Sequence, residues 1–294
     1  MKILGYVFWL LLLASSQHLQ AEIYKYQDKN GKWQFTDKKP KDSEAEVVNY
    51  KSTEKAKIQP TFDSISRDGF NYLVVENPFF APIQVQLTSP QVKNGKQTRI
   101  VGARQKLNLI KTADSIAKFR YRWHIGDPGA QPADQLYHWP IDTQICARIS
   151  QGFNGSFSHT SEQSRFAIDI ALPVGSAILA AREGTVVAVK DDYHMGGVNE
   201  YFLDKANYVS VIHADGTFAF YGHILLGTAA VKPGDTVSAG TLLAKSGSSG
   251  FSSGPHLHFV IQKSKGFAKT SIPFELINNQ GQAFIPSRNQ KSCG

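Results

Sequence analysis

Apolar and polar positions alternate in short runs over most of this chain. Four runs, NYLVVENP (71–78), PIQVQLTS (82–89), TRIVGARQKLNLI (98–110) and AKFRYRWHIG (117–126), are separated by Pro, Asn, Gly and Asp. Period-two alternation bounded by turn formers predicts strands, and the spacing predicts a small β-sandwich or open β-module over residues 59–140. The pattern continues beyond it. SAILAA and TVVAVK flank Arg182-Glu183-Gly184, YVSVIH and TFAFYGH flank Ala214-Asp215-Gly216, and Lys232-Pro233-Gly234-Asp235 turns the chain before TVSAGTLLAKSG. These are hairpin signals, and they make residues 141–285 β-rich as well. No amphipathic helix interrupts them, apart from a short turn near Ile272–Leu276. Nearer the start, residues 22–40 alternate aromatics on two arms around Asp28-Lys29-Asn30-Gly31, which predicts another hairpin. Residues 41–60 are mixed-charge with few large apolar groups and read as a linker. The fold class is all-β, with segments at 22–58 (hairpin and linker), 59–140 and 141–285, and a tail at 286–294.

Residues 1–21 have a different pattern. Lys2 precedes an apolar run from Ile3 to Ala14, followed by small and polar residues ending at Ala21. Twelve apolar residues are too few to span a bilayer, which takes about 20, and the arrangement reads as a secretory signal. Export to the periplasm or the medium, with no stable membrane span after cleavage, is the expectation. No cysteine follows the apolar run, which argues against a lipoprotein. The only cysteines, Cys146 and Cys293, suit an oxidising compartment and permit at most one disulfide. Neither has the spacing of a cysteine metal cluster.

The formal charge is +8. Residues 61–140 hold ten basic and six acidic groups, whereas 141–294 hold twelve and eleven, so the excess lies mainly ahead of the candidate chemistry. A solvated basic face accounts for it; adhesion to an anionic wall is the sharper alternative. No nucleic-acid motif accompanies it, and no nucleic-acid partner is expected.

The candidate chemistry lies in FSHTSEQSRFAIDI (157–170), YGH (221–223) and GPHLHF (254–259). His256 and His258 are two apart, so on a strand they share a face. Both could serve one metal, or one could bind metal while the other handles a proton. Asp169 alternates with Ile168 and Ile170 and shares its face with Ala167 and Ala171, an uncrowded setting for a carboxylate. A zinc site needs three nitrogen or oxygen ligands and an open fourth position, and His159, Asp169 and His258 are the assigned set. Additional histidines can carry protons or stabilise an oxyanion. His124, His138, His194 and His213 are read as structural or surface residues. Gly250-Phe-Ser-Ser-Gly254 formally matches G-x-S-x-G, but Pro255 and a strand follow where a helix is required, and no Asp lies beyond Ser252.

Together the spaced His and Asp, the Tyr-Gly-His and the His-Leu-His resemble the lysostaphin and LytM-type zinc metallopeptidases, a family that cleaves peptides of bacterial peptidoglycan. The resemblance covers residues 141–285. It implies an antiparallel β architecture of packed sheets with its site in a groove. It implies zinc at His159, Asp169 and His258 and catalysis by His223 and His256. Two departures stand out: ten positions separate His159 from Asp169, with Arg165 four before the Asp, and Val260 follows His-Leu-His-Phe where an acidic residue is common. The hairpin segment resembles a small domain of unknown function found after signal peptides in Gram-negative proteins, through Tyr24, Asp28, Gly31, Thr36, Asp37 and Pro40. The expected function is zinc-dependent hydrolysis of peptidoglycan cross-links, the D-Ala–diaminopimelate bond being the expected target. The alternative is a non-catalytic cell-wall-binding or amidase-activating module.

Overall fold

The computed structural model describes residues 23–27, 33–36, 44–48, 58–133, 136–142, 144–278 and 280–293. The secretory segment at 1–21 and the hairpin turn, with Asp28, Gly31, Asp37 and Pro40, lie outside them. The chain divides into two compact units, residues 1–53 and 54–294.

In the first unit β1 (Ile23–Gln27) and β2 (Trp33–Thr36) pair antiparallel, Tyr24 opposite Thr36 and Gln27 opposite Trp33, as the alternating aromatics predict. A third strand, β3 (Glu46–Val48), pairs with the other edge of β1. It arises within the segment expected to be a linker. Three strands satisfy backbone groups on both sides of β1, which a lone hairpin leaves open.

The second unit begins with two three-stranded antiparallel sheets. β4 (Thr61–Arg67), β5 (Phe70–Glu76) and β8 (Lys106–Thr112) form one; β7 (Lys96–Val101), β6 (Ile83–Thr88) and β9 (Arg120–Ile125) form the other. Leu73 and Val75 from the first and Ile83, Val85 and Leu87 from the second meet in one core, the inward half of each alternating run. This module docks on the rest of the unit through Phe80, Ala81 and Ile125, which pack with Val187, Ile212 and Phe218. Ser264 Oγ donates to the Ile125 carbonyl at 3.2 Å, and the Arg122 guanidinium lies 3.9 Å from the Phe267 ring centre. Gly126 is required at this junction: its φ is 108°, and a Cβ would fall 1.9 Å from Ser264 Oγ.

The remaining elements are β10 (Leu136–His138), β11 (Cys146–Gln151), β12 (Ala167–Ala171), β13 (Ala177–Leu179), β14 (Gly184–Lys190), β15 (Gly196–Gly197), β16 (Tyr208–Ile212), β17 (Phe218–Gly222), β18 (Thr236–Val237), β19 (Leu242–Lys245), β20 (Gly250–Phe251), β21 (His256–Lys265), β22 (Ala268–Ser271), β23 (Glu275–Ile277), β24 (Ala283–Phe284) and β25 (Lys291–Cys293). A nine-stranded sheet runs β18-β14-β16-β17-β21-β12-β11-β25, with β22 on the far end of β21. Every pairing in it is antiparallel. The turn expected near Ile272–Leu276 does not form: residues 272–274 are irregular and Glu275–Ile277 are β23, which pairs parallel with β10. Tyr137, Trp139 and Leu276 are buried in the main core, so both flanks of that pairing are drawn inward. The segment expected at 141–285 thus recruits Leu136–His138 before it and Lys291–Cys293 after it. β25 covers the outer edge of β11, placing Cys146 opposite Cys293 in the register. Cys146 is disulfide-bonded, and Cys293 is the chain's other cysteine.

The sheet's two faces divide the labour. One buries Ile168, Ile170, Val209, Val211, Ala219, Tyr221, Leu257, Phe259 and Ile261 in the main core. The alternate positions, Asp169, Ser210, Phe220, His256, His258 and Val260 among them, lie on the other face by strand periodicity. That face carries the candidate site.

Candidate metal centre and groove

Asp169 and His258 are directly opposite on β12 and β21, and Ala171 opposes His256. The cross-strand register therefore brings the carboxylate to both imidazoles. Asp169 Oδ1 is 2.9 Å from His258 Nδ1 and 3.6 Å from His256 Nε2. The third imidazole comes from the connection between β11 and β12. There His159 N–H donates to the Gly155 carbonyl, and its ring Nδ1–H donates to the Gly152 carbonyl at 2.9 Å. This bond sets the tautomer and leaves Nε2 facing Asp169 Oδ1 at 3.2 Å. Ligand atoms of His159, Asp169 and His258 all lie within 4.8 Å of one another. A two-nitrogen, one-oxygen set of this kind fits a tetrahedral zinc with one open position. The ten-residue spacing is thus closed by the return of the chain, and Arg165, four before the Asp, is exposed.

Asp169 is 7 % exposed. Burial alone would raise its carboxyl, but the His159 and His258 rings, which hydrogen-bond it when protonated, and the neighbouring imidazole charges outweigh burial and hold the group well below the usual carboxylate range. Its other oxygen, Oδ2, accepts a 2.9 Å bond from Gln151 Nε2. Gln151 also bonds to Ser158 Oγ at 2.7 Å and accepts from the Phe157 amide. The register between β11 and β12 slips between Ile149 and Gln151. That bulge turns Gln151 onto the face of Asp169. Periodicity does not reveal it: a bulge is a pairing event, and one extra residue in the alternation left no separate signal.

Two further histidines stand beside the set. His223 follows β17 with a left-handed φ of 61°, and its Nδ1–H donates to the Ser249 carbonyl at 2.6 Å. His256 Nδ1–H donates to the Gly254 carbonyl at 2.8 Å. In each the backbone bond fixes the tautomer and leaves Nε2 unprotonated. The rings are 4.5 Å apart, and His223 is 5.8 Å from the His258 ring. Burial, then the charges of His256 and His258, pull His223 down to about 3. Burial likewise lowers His256. Both are therefore neutral bases at neutral pH. Behind them Asn207, wholly buried, donates to the Tyr193 and Ile224 carbonyls, and Ser249 Oγ accepts from the Asn207 amide. That knot holds the two loops carrying His223 and Ser249.

The site lies in a groove of about 520 Å³. Leu203 and Ala206 form one wall, residues 251–256 another, and Phe157, 58 % exposed, stacks on Phe251 at the rim. His124, His138, His194 and His213 line no part of it. Ser252 Oγ is 3.3 Å from His256 Nδ1, and His256 faces Asp169, a sequence of contacts reminiscent of a serine triad. The hydroxyl is buried and donates to the Gly254 carbonyl, so it is not an available nucleophile.

Residues 163–270 match peptidase family M23, and residues 10–61 match DUF4124, a domain of unknown function. The M23 match takes in Asp169, His223, His256 and His258 and begins four residues after His159. An uncharacterized metalloprotease of Haemophilus influenzae is 32 % identical over 124 residues, 41 % of this chain and 23 % of the relative. The peptidoglycan DD-endopeptidase ShyA of Vibrio cholerae is 30 % identical over 132 residues, 44 % of this chain and 27 % of that one. Among solved structures, the lysostaphin catalytic domain of Staphylococcus simulans is 25 % identical, covering 44 % of this chain and 87 % of its own, with a TM-score of 0.31. The chain spans about a quarter of the length of these curated relatives.

Proposed function

We propose that this chain, which carries an M23 peptidase domain, is an exported zinc endopeptidase that cleaves peptide cross-links of bacterial peptidoglycan. One observation carries the proposal: His159, Asp169 and His258 converge within 4.8 Å, flanked by two tautomer-locked imidazoles, on the open face of a sheet. In this assignment His159 Nε2, Asp169 Oδ1 and His258 Nδ1 hold the metal. When bound, zinc supplies a Lewis acid for the scissile carbonyl and lowers the pKa of the attacking water. His223 and His256 present Nε2 to the reacting centre. One takes the water proton and, as the imidazolium so formed, hydrogen-bonds the oxyanion before passing that proton to the leaving amine; the other accepts a hydrogen bond from the attacking water. Gln151 holds Asp169 in register, and the Gly152 carbonyl holds His159.

The substrate class rests on the relatives named as peptidoglycan endopeptidases, and the D-Ala–diaminopimelate bond is the proposed target. The disulfide at Cys146 and the apolar run at Ile3–Ala14 support export to the periplasm or beyond. Residues 141–285 do the chemistry; 22–58 and 59–140 are preceding modules. A wall-binding or amidase-activating role would dispense with ligands, and the convergence of these five residues supports the catalytic reading instead.

The test combines elemental analysis with digestion of purified cross-linked muropeptide dimers. One zinc per chain, conversion of dimers to monomers and loss of both on chelation are expected. His258→Ala should lose metal, whereas His223→Ala and His256→Ala should keep it and lose about 10²–10⁴ in rate. A metal-free wild type, or intact dimers, would refute the proposal.

A further inference from the structure

The open face of the sheet does not end at the metal centre. Beyond His258 it continues through Val260 and Gln262 on β21 and Phe220 on β17 until the preceding module closes over it. Between sheet and module lies a cavity of about 470 Å³, lined by Phe79 and Trp123 of the module and by Tyr208, Ser210 and Lys269 of the sheet. The cavity and the groove share Ser161, Ser164, Phe220 and His258, so they are one continuous cleft.

Two polar groups in this cavity lack a hydrogen-bonding or carboxylate partner among the described residues. Ser210 is 4 % exposed, and its Oγ has no hydrogen bond among the described residues. Lys269 pairs in register with Ser264, sits over the Phe218 ring at 3.7 Å and has no carboxylate partner among the described residues. Burial pulls its ammonium down to about 8. Its charge is also felt by His124 of the module, already lowered by burial. An ammonium whose charge is met only by an aromatic ring attracts an anion, because the apolar walls around it screen it weakly.

We propose that this cavity is a subsite for a carboxylate of the bound peptide and that Lys269 reads it. The inference rests on the endopeptidase reading for the identity of that peptide. One ammonium and one hydroxyl lining the same cavity, with no arginine fork among the lining residues, suit a monoanion rather than a phosphate. Phe218 is opposite Gln262, four residues along β21 from His258. That places the ammonium roughly 13 Å from the metal centre at the rise of a strand, within reach of an extended peptide of three or four residues. Peptidoglycan stem peptides carry free carboxylates over such a span, and the module's Trp123 and Phe79 supply apolar walls for the intervening carbon chain.

The test uses the zinc-loaded full chain and two ligand sets: cross-linked stem-peptide dimers with free carboxylates, and the same dimers amidated at them. A charge-assisted hydrogen bond corresponds to roughly 10- to 100-fold. Amidation should lower the wild-type kcat/KM by at least about tenfold, mainly through KM. In Lys269→Met that discrimination should vanish while zinc content and melting temperature are retained, and Lys269→Arg should restore part of it. Calorimetric titration with free and amidated stem monomers gives the same comparison without turnover. If dimers are cleaved with no preference for the free acid, or Lys269→Met keeps the preference, the subsite is refuted and the endopeptidase stands. If no dimer is cleaved but free acids bind better than amides, the endopeptidase reading falls and the carboxylate subsite stands.

Discussion

Gln151 offers the sharpest test of how the site is held, because it touches the proposed metal set only through Asp169. Its amide donates to Asp169 Oδ2 at 2.9 Å and to Ser158 Oγ at 2.7 Å, and its carbonyl accepts from the Phe157 amide at 3.2 Å. Gln151→Met keeps the volume and removes all three bonds. A hydrogen bond to an ionised carboxylate is worth about 1.5–3 kcal/mol. Part of that loss weakens the carboxylate in the metal-free state too, so only the remainder appears as metal affinity. Loss of an outer-shell partner typically costs about 10- to 100-fold in affinity, or roughly 1.4–2.7 kcal/mol. Freeing Phe157 and Ser158 also loosens the connection that presents His159, which acts in the same direction. Competition against a chromophoric zinc chelator at neutral pH measures the shift, with a melting curve to confirm the fold. Affinity within twofold of wild type, in a variant that melts normally, would refute the orienting role.

Other perturbations follow from the same geometry. Cys146→Ser opens a bond that closes the long loop from Cys146 to Cys293, somewhat over half of the second unit; chain entropy sets the stability loss at up to about 5 kcal/mol, and urea unfolding that matches wild type would contradict it. Arg182 and Asp215 form a buried 3.0 Å ion pair that also involves Tyr137 and Thr217. Arg182→Met leaves the carboxylate without its counter-charge and should cost about 3 kcal/mol in denaturant unfolding; a loss below about 1 kcal/mol would show that Thr217 and the Ala133 amide suffice. In metal-free protein, His223 sits at about 3 against roughly 6.5 in the unfolded chain. Between those values the unfolded chain binds more protons, so the unfolding free energy falls as pH drops from about 6.5 toward 3. His213 and His256, lowered mainly by burial, add slope of the same sign. A urea midpoint unchanged between pH 7.5 and pH 5 would contradict the burial of these rings.

Much of this protein is written in period two. Alternation alone identifies the hairpin of β1 and β2, the strands of the module and the main strands of the large sheet, because a strand with one buried face must repeat every second residue. The same rule puts His256 beside His258 on one face and Asp169 on the face opposite Ile168 and Ile170. What local pattern could not supply is pairing. Which strand lies against which is decided by long-range burial, so the register that sets Asp169 against His258, and the bulge that aims Gln151 at the carboxylate, appear only in the folded sheet. The ten-position separation of His159 and Asp169 obscures a pair that chain reversal brings to 3.2 Å. Tyr137 and Trp139 lie before the expected boundary, yet the core claims them, since the large apolar side chains pack wherever β10 can reach β23. Lys269 is one lysine among many in the sequence. It becomes a charge with no carboxylate partner among the described residues only when the module closes over Phe218, because burial and counter-charge are properties of the assembled fold and not of the residue.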